Sequence, residues 1–481
     1  MNYTSTRDCG ITASPMEAIL QGLAPGGGLY MPVEKIGAGA DALDYTDRSA
    51  QILDAAFDSD YGQDALRGMA AAAYAPGRFE DDLITPLKAV GPYNVLELFH
   101  GPTVSFKDIA LSILPRLMVS ARDRLAPEKE ILVLTATSGD TGSATMAGFL
   151  GIPGVKVIVF YPQGGVSAVQ AAQMQRMAGS NVRAVAVKGD FDRAQAGVKV
   201  IFRRAGSVAP HLLLSSANSI NIGRLIPQMA YYYDAYRQLG AQGQAVFSVP
   251  TGNFGDILAG RLAKLAGLPI AGLICATNAN NVLHEALQDG IYDKRRALVK
   301  TLSPSMDILL SSNFERALYL ACGGDSALCR ELMHTLEEEG RLVLPREIWH
   351  DLQQYFSSEV CTDSQALDVI RMVWQEEGYL LDPHSASAWH ALQVYEQTID
   401  MQGAGIVLST ASPYKFPAAC LQALGIPVPE MPEEQWRTLQ SETGLPLPKA
   451  LEDLFKLPIL HKEVIEVSEM AHYVKEKALA W

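Results

Sequence analysis

The chain has 481 residues, 48% of them hydrophobic, enough to bury the cores of two or three domains. A formal net charge of −14 and a pI near 5.2 disfavour attraction to nucleic acid or to an anionic membrane, so a small-molecule substrate is the natural partner. Net charge is an average, and it leaves room for one positive cleft around an anionic substrate.

The cysteines, at 9, 275, 322, 329, 361 and 420, show neither CxxC spacing nor a dense framework, which fits reduced thiols. No early segment combines a basic start, a long apolar run and a small-residue cleavage site, and no apolar stretch is long enough to cross a bilayer. A cytoplasmic location is the expectation.

In chain order, residues 1 to about 95 read as helical patterns around the turn Pro25-Gly26-Gly27-Gly28. Without a clear strand before it and a helix after it, that turn reads as a loop and not as a phosphate site. From Ile131, short apolar runs alternate with helical stretches: ILVLTAT (131–137), VKVIVFYP (155–162), VRAVAVKG (182–189), AVFSVPTG (245–252) and GLICATN (272–278). This alternation predicts βα units and parallel sheets, hence an α/β fold. Residues 313 to 380 read as long charged helices with solvated faces, and GIVLST (405–410) as a buried strand. Pro413 and Pro417 discourage a regular continuation of that strand. Pro427, Pro429 and Pro432 mark a connector before a helical tail, which puts a soft boundary near 425.

The segment LELFHGPTVSFKDIALSIL (96–114) sets Lys107 at the start of an apolar helical run. An isolated lysine is more commonly a snorkelling surface residue, but burial near a positive helix end favours the neutral, nucleophilic amine. Pro115 in the same run predicts a kink or an early end. In LTATSGDTGSA (134–144), a strand breaks into Ser138, Gly139, Thr141 and Gly142, whose N–H and hydroxyl groups can meet a carboxylate; simple N-capping by Ser138 or Asp140 is the bland alternative. In SSANSINIGRLIPQ (215–228), Asn218, Ser219, Asn221 and Arg224 offer donors, and Arg224 can fork onto phosphate or carboxylate or simply pair with a surface acid. In SVPTGNFGDILAGRLAKL (248–265), Gly252, Asn253, Phe254, Gly255 and Asp256 can surround a phosphate at a helix start, although neither the Walker nor the dinucleotide pattern is present. In VLSTASPYKFP (407–417), Thr410 leaves a strand end with a hydroxyl able to contact a neutral ring nitrogen.

Taken in order, ELFHGPTVSFKD, TATSGDTGSA, SSANSINIGR, VPTGNFGDILAG, ATNAN and LSTASPYKFP resemble the series found in threonine synthases. The resemblance begins with the TRD and QGLAPGGGLYMP segments, includes TLSPSMDILLSSNFER (301–316) and reaches at least Pro417. It implies a fold-type II enzyme, tryptophan synthase β-like, dependent on pyridoxal 5'-phosphate, with two α/β domains facing the cofactor and added terminal elements. It divides the chain into an N-terminal segment (1–95), a lysine-bearing domain (96–245), a phosphate-loop domain (246–425) and a C-terminal helical tail (426–481). It further implies that Lys107 carries the cofactor, that Gly252 to Asp256 cradle its phosphate and that Thr410 approaches its pyridine nitrogen. Ser138 and Thr141 are carried over as contacts to the substrate carboxylate, and Asn218, Ser219, Asn221 and Arg224 as substrate- or phosphate-facing groups. The implied reaction turns O-phospho-L-homoserine and water into L-threonine and phosphate, in a monomer by preference over a dimer.

A serine or threonine dehydratase, a phospholyase and a noncatalytic binding protein of the same fold remain open on these residues. A zinc hydrolase is disfavoured because none of the nine histidines forms HExxH, and His384 and His390 read as structural or solvent-facing. A dinucleotide-binding dehydrogenase is disfavoured because Gly37-Ala38-Gly39 lacks the strand, third glycine and later acid.

Overall fold

A computed structural model describes residues 1–37, 41–203, 211–399, 401 and 403–480. Ala38 and Gly39 of the short glycine match therefore lie outside the described residues. Two parallel sheets dominate. One has five strands, all parallel, in the order Val464–Glu466, Val182–Lys188, Val155–Pro162, Glu130–Ala136, Leu212–Ser215. The other has six strands in the order Phe356–Val360, Ile270–Thr277, Ala245–Pro250, Ala404–Ser409, Tyr93–Glu97, Leu87–Val90, with only the last running antiparallel to its neighbour.

The apolar runs become strands because both sheet faces are covered. Along Glu130–Ala136, Ile131 and Val133 enter one core while Leu132, Leu134 and Ala136 enter another, the period-two alternation of a strand buried on both sides. Val246 and Phe247 divide in the same way on the six-stranded sheet. Trp389 anchors the outer core of that sheet, packed edge-on to Tyr93 at 5.0 Å between ring centroids. Replacing Trp389 with Ala is expected to cost about 3–5 kcal/mol, read as a lower denaturation midpoint with an unchanged m-value.

The sheets do not follow the linear division of the chain. Strands Leu87–Val90 and Tyr93–Glu97 complete the six-stranded sheet, while the tail sends Val464–Glu466 to the edge of the five-stranded one. Met470, Tyr473 and Val474, on the final helix, then cover that sheet's outer face beside Phe191 and Val198. The first 32 residues contain three antiparallel strands, Tyr3–Ser5, Asp8–Ala13 and Tyr30–Pro32, where the sequence suggested helices and a turn. Strand Phe356–Val360 likewise interrupts the region read as helical throughout.

Pro115 does not end its helix early, and Pro417, as expected, does not continue the strand before it. The helix Lys107–Leu125 runs through Pro115; the carbonyl of Leu111, which Pro115 cannot bond, is closely approached by Gly148, where a β-carbon would lie 2.2 Å from it. Pro417 begins the helix Pro417–Ala423 at its first turn, the position where a missing N–H costs nothing.

Candidate active site

Lys107 is the first residue of its helix, 13% exposed at the side chain, with Nζ 4.4 Å above the Phe106 ring. The Phe106 N–H donates to the Thr410 carbonyl at 2.9 Å, so the turn before the lysine is stitched to the end of strand Ala404–Ser409. Burial lowers the proton affinity of Lys107, Asp140 opposes that effect, and Arg224 and Lys415 add to it. An amine in this position is poised for nucleophilic chemistry.

One cleft is lined by Lys107, Thr141, Ser219, Arg224, the loop 252–256 and Thr410. The loop is built to leave N–H groups free. Phe254 adopts φ +61° and sends its ring into a cluster with Phe314 and Phe356, at 5.5 and 5.0 Å. The Gly252 carbonyl accepts from Ser311 Oγ at 2.9 Å, and the Asn253 carbonyl from both the backbone N–H and Nδ2 of Asn313 at 3.1 Å. The backbone N–H groups of residues 252–256 have no acceptor among the described residues, and the helix Gly255–Leu265 adds its positive end. Gly252 must be glycine, because a β-carbon there would lie 2.7 Å from the Ser305 carbonyl. Buried Arg316 bonds Asn313, Tyr30 and Ile220, which fixes the scaffold behind the loop.

Asp256 is buried, with Oδ1 accepting from Tyr231 and Tyr232 at 2.5 and 3.0 Å and Oδ2 unpartnered. Burial pushes its carboxyl up to about 6, against the pull of the two tyrosines and of Lys107. A folded-state value above the unfolded one stabilises the fold below about pH 4, a contribution lost as pH climbs through 6. Apoprotein carrying Asp256→Asn is therefore expected to gain about 3 kcal/mol relative to the parent between about pH 4 and pH 7.5, measured by denaturant titration.

Arg224 is 2% exposed; one nitrogen donates to the Ala217 carbonyl at 2.7 Å, Nε has no partner, and no carboxylate pairs with it among the described residues. Burial lowers it to about 10, with Tyr231 opposing. Ser219 receives a bond from Asn313 at 3.0 Å. Asn218 and Asn221 are spent on the fold: Asn218 Nδ2 donates to the Ala136 carbonyl, while Asn221 caps the helix Ile222–Leu225 and donates to Ile19 and Ser216. Neither they nor Ser138 line the cleft. In the turn bearing Ser138, Thr137 does the capping, accepting from Gly139 and Gly142 at 2.9 Å. Asp140 is not a cap at all; it is ion-paired in the cleft wall.

Sequence reasoning missed Asp140, Lys415, Ser305 and His384. His384 lines the cleft, with Nδ1 at 2.7 Å from Asp382 and Nε2 accepting from the Ser305 N–H at 3.2 Å, so it is buried structure and not solvent-facing. The residues present suit pyridoxal phosphate: a desolvated amine, an amide cradle free of acceptors and a strand-end hydroxyl at Thr410.

A family described as "Pyridoxal-phosphate dependent enzyme" matches residues 88–410, and with the paired sheets and the lysine-bearing cleft this defines a fold-type II pyridoxal-phosphate enzyme. "Threonine synthase N terminus" matches residues 2–74 and "Threonine synthase, C-terminal" residues 385–476. The chain belongs to the threonine synthase family. It is 37% identical to threonine synthase of Pseudomonas aeruginosa across 88% of this chain and 90% of that one. It superposes on the pyridoxal-phosphate-bound threonine synthase of Brucella melitensis with a TM-score of 0.86 at 36% identity, covering 99% of each chain. The yeast threonine synthase structure gives the same TM-score at 33% identity, covering 100% of this chain and 99% of that one.

Among the described residues no helix is long and apolar enough to cross a membrane.

Proposed function

We propose that this chain converts O-phospho-L-homoserine and water to L-threonine and inorganic phosphate in the cytoplasm. Lys107 carries the cofactor, residues 252–256 hold its phosphate and Thr410 faces its pyridine nitrogen. The observation that carries the reading is the presence, in one cleft, of a desolvated lysine, an acceptor-free amide loop and Arg224 without a carboxylate partner. Two anion-receptive features suit a cofactor phosphate and a substrate phosphate together.

The reaction takes protons from Cα and Cβ, breaks the Cγ–O bond to release phosphate, places a proton on Cγ, adds the hydroxyl of water at Cβ and returns a proton to Cα. When bound, pyridoxal phosphate supplies the electron sink that spreads negative charge left at Cα. Lys107 Nζ takes the Cα proton and carries protons among the reacting carbons, a role suited to an amine of lowered proton affinity. The Thr141 hydroxyl, on the turn that also bears Ser138, holds the substrate carboxylate and orients the Cα–H bond toward Nζ. Arg224, with Ser219 beside the loop, receives the leaving phosphate, whose charge grows as the Cγ–O bond lengthens. Asn218 and Asn221 act behind them, shaping the turn through their backbone bonds.

The deciding experiment mixes purified holoenzyme with phosphohomoserine and measures phosphate and threonine together. Equal amounts of both are expected. Phosphate with a keto acid in place of threonine would mark a phospholyase, and turnover of threonine alone would mark a dehydratase.

A further inference from the structure

Asp140 has no role in the reading above, yet it is the most heavily bonded side chain in the cleft wall. Its Oδ1 accepts from Lys415 Nζ at 2.7 Å and Gln170 Nε2 at 2.8 Å, and its Oδ2 from Ser305 Oγ at 3.0 Å and Lys107 Nζ at 3.4 Å. Two lysines thus share one buried carboxylate. Lys415 is fully buried and also donates to the Thr103 carbonyl at 2.9 Å, so it is locked in place. The contact to Lys107 is the longest of the four, and Lys107 is the member whose amine opens on the cleft.

A carboxylate with Lys107 as its sole cation would form a tight pair and retain the proton on Nζ. Lys415 takes the closer half of Asp140 and weakens that pull without removing it. Burial raises the Asp140 carboxyl, but Lys415 and Lys107 together hold it well below the usual carboxylate range, so it stays an anion. Other charged groups near Lys107 are Arg224, the half-satisfied Asp256 and the His384–Asp382 pair that backs onto Ser305; Asp108 is spent on Thr103.

We propose that Asp140 and Lys415 are positioning residues that act through Lys107: Asp140 anchors the amine and favours its protonated form, while Lys415 limits that preference so that the proton can leave. The proposal rests on Lys107 being the cofactor lysine, and the test separates the two. Borohydride reduction of the holoenzyme followed by peptide mapping must first find the cofactor on Lys107; finding it elsewhere overturns that reading and this one with it.

The midpoint pH of the cofactor's visible absorbance is then measured in holoenzyme of the parent, Asp140→Asn, Lys415→Met and the charge-neutral double variant. A charge this close moves such a midpoint by about 1–3 pH units. Asp140→Asn is expected to lower it, Lys415→Met to raise it, and the double variant to fall between the parent and Asp140→Asn. Simple loosening of the site would move both single variants the same way or not at all, and either result overturns the proposal even with the cofactor on Lys107. Removing one member of a buried pair is costly, so a single variant can fail to fold. In that event the double variant decides: a midpoint at or above the parent's refutes the assignment, and one below it supports it.

Discussion

Replacing Lys107 with Ala is expected to remove turnover, by at least about 10³-fold in kcat, and to abolish the visible absorbance of the lysine-bound cofactor. The size follows from the lysine's two duties. In the proposed reaction the same Nζ attaches the cofactor and moves the protons at the reacting carbons, and among the described residues no other lysine lines the cleft. Lys415 is within 2.7 Å of Asp140 but fully buried and held by the Thr103 carbonyl. The fold itself should persist, because Asp140 keeps Lys415, Gln170 and Ser305 as partners. The measurement is a pre-steady-state assay paired with an absorbance spectrum and a thermal melt. A variant that melts like the parent and retains both activity and absorbance would remove Lys107 from the mechanism.

The parts of this architecture that a reader of the sequence can see are those whose environment is uniform along the chain. Strands such as Glu130–Ala136 and Val155–Pro162 are covered on both faces, so apart from the charged Glu130 and Lys156 near their starts the residues are apolar or small and the run stands out. Phe356–Val360 is an edge strand with polar residues, FSSEV, and its composition says nothing distinctive within a charged helical region. The loop 252–256 and the Lys107 turn are legible because local chemistry, glycine and a helix start, defines them. Asp140 and Lys415 are not, since only the approach of the two sheets brings an acid from one strand end to a lysine from another. Asn221 misleads for a related reason: an asparagine beside a helix start looks the same as a ligand donor and as a cap, and only its bonds to Ile19 and Gly223 reveal the cap. The exchanged strands at 87–97 and 464–466 are invisible because strand partners are chosen by tertiary packing and not by sequence order.

Arg224→Ala is the second large effect. Its guanidinium is buried with one carbonyl partner and an unpartnered Nε, and burial has already lowered it to about 10, so an incoming phosphate would satisfy a group that the fold leaves short. Truncating one side of a buried charge contact costs about 3 kcal/mol, so kcat/KM on phosphohomoserine is expected to fall about 100-fold or more. Part of the loss should appear in kcat, because the departing phosphate gains charge in the transition state and is held more strongly there than in the substrate. Inhibition by inorganic phosphate should weaken in parallel, whereas the cofactor absorbance should be retained, since Arg224 is not in the 252–256 loop. Arg224→Lys should recover only part of the loss, because an ammonium keeps the charge without the planar fork. Stability separates this from general damage: the variant removes a desolvated cation and costs only the bond to Ala217, so its melting temperature should stay near the parent's. Unchanged kinetics on phosphohomoserine would take Arg224 out of the substrate site and leave the second anion without a binding group.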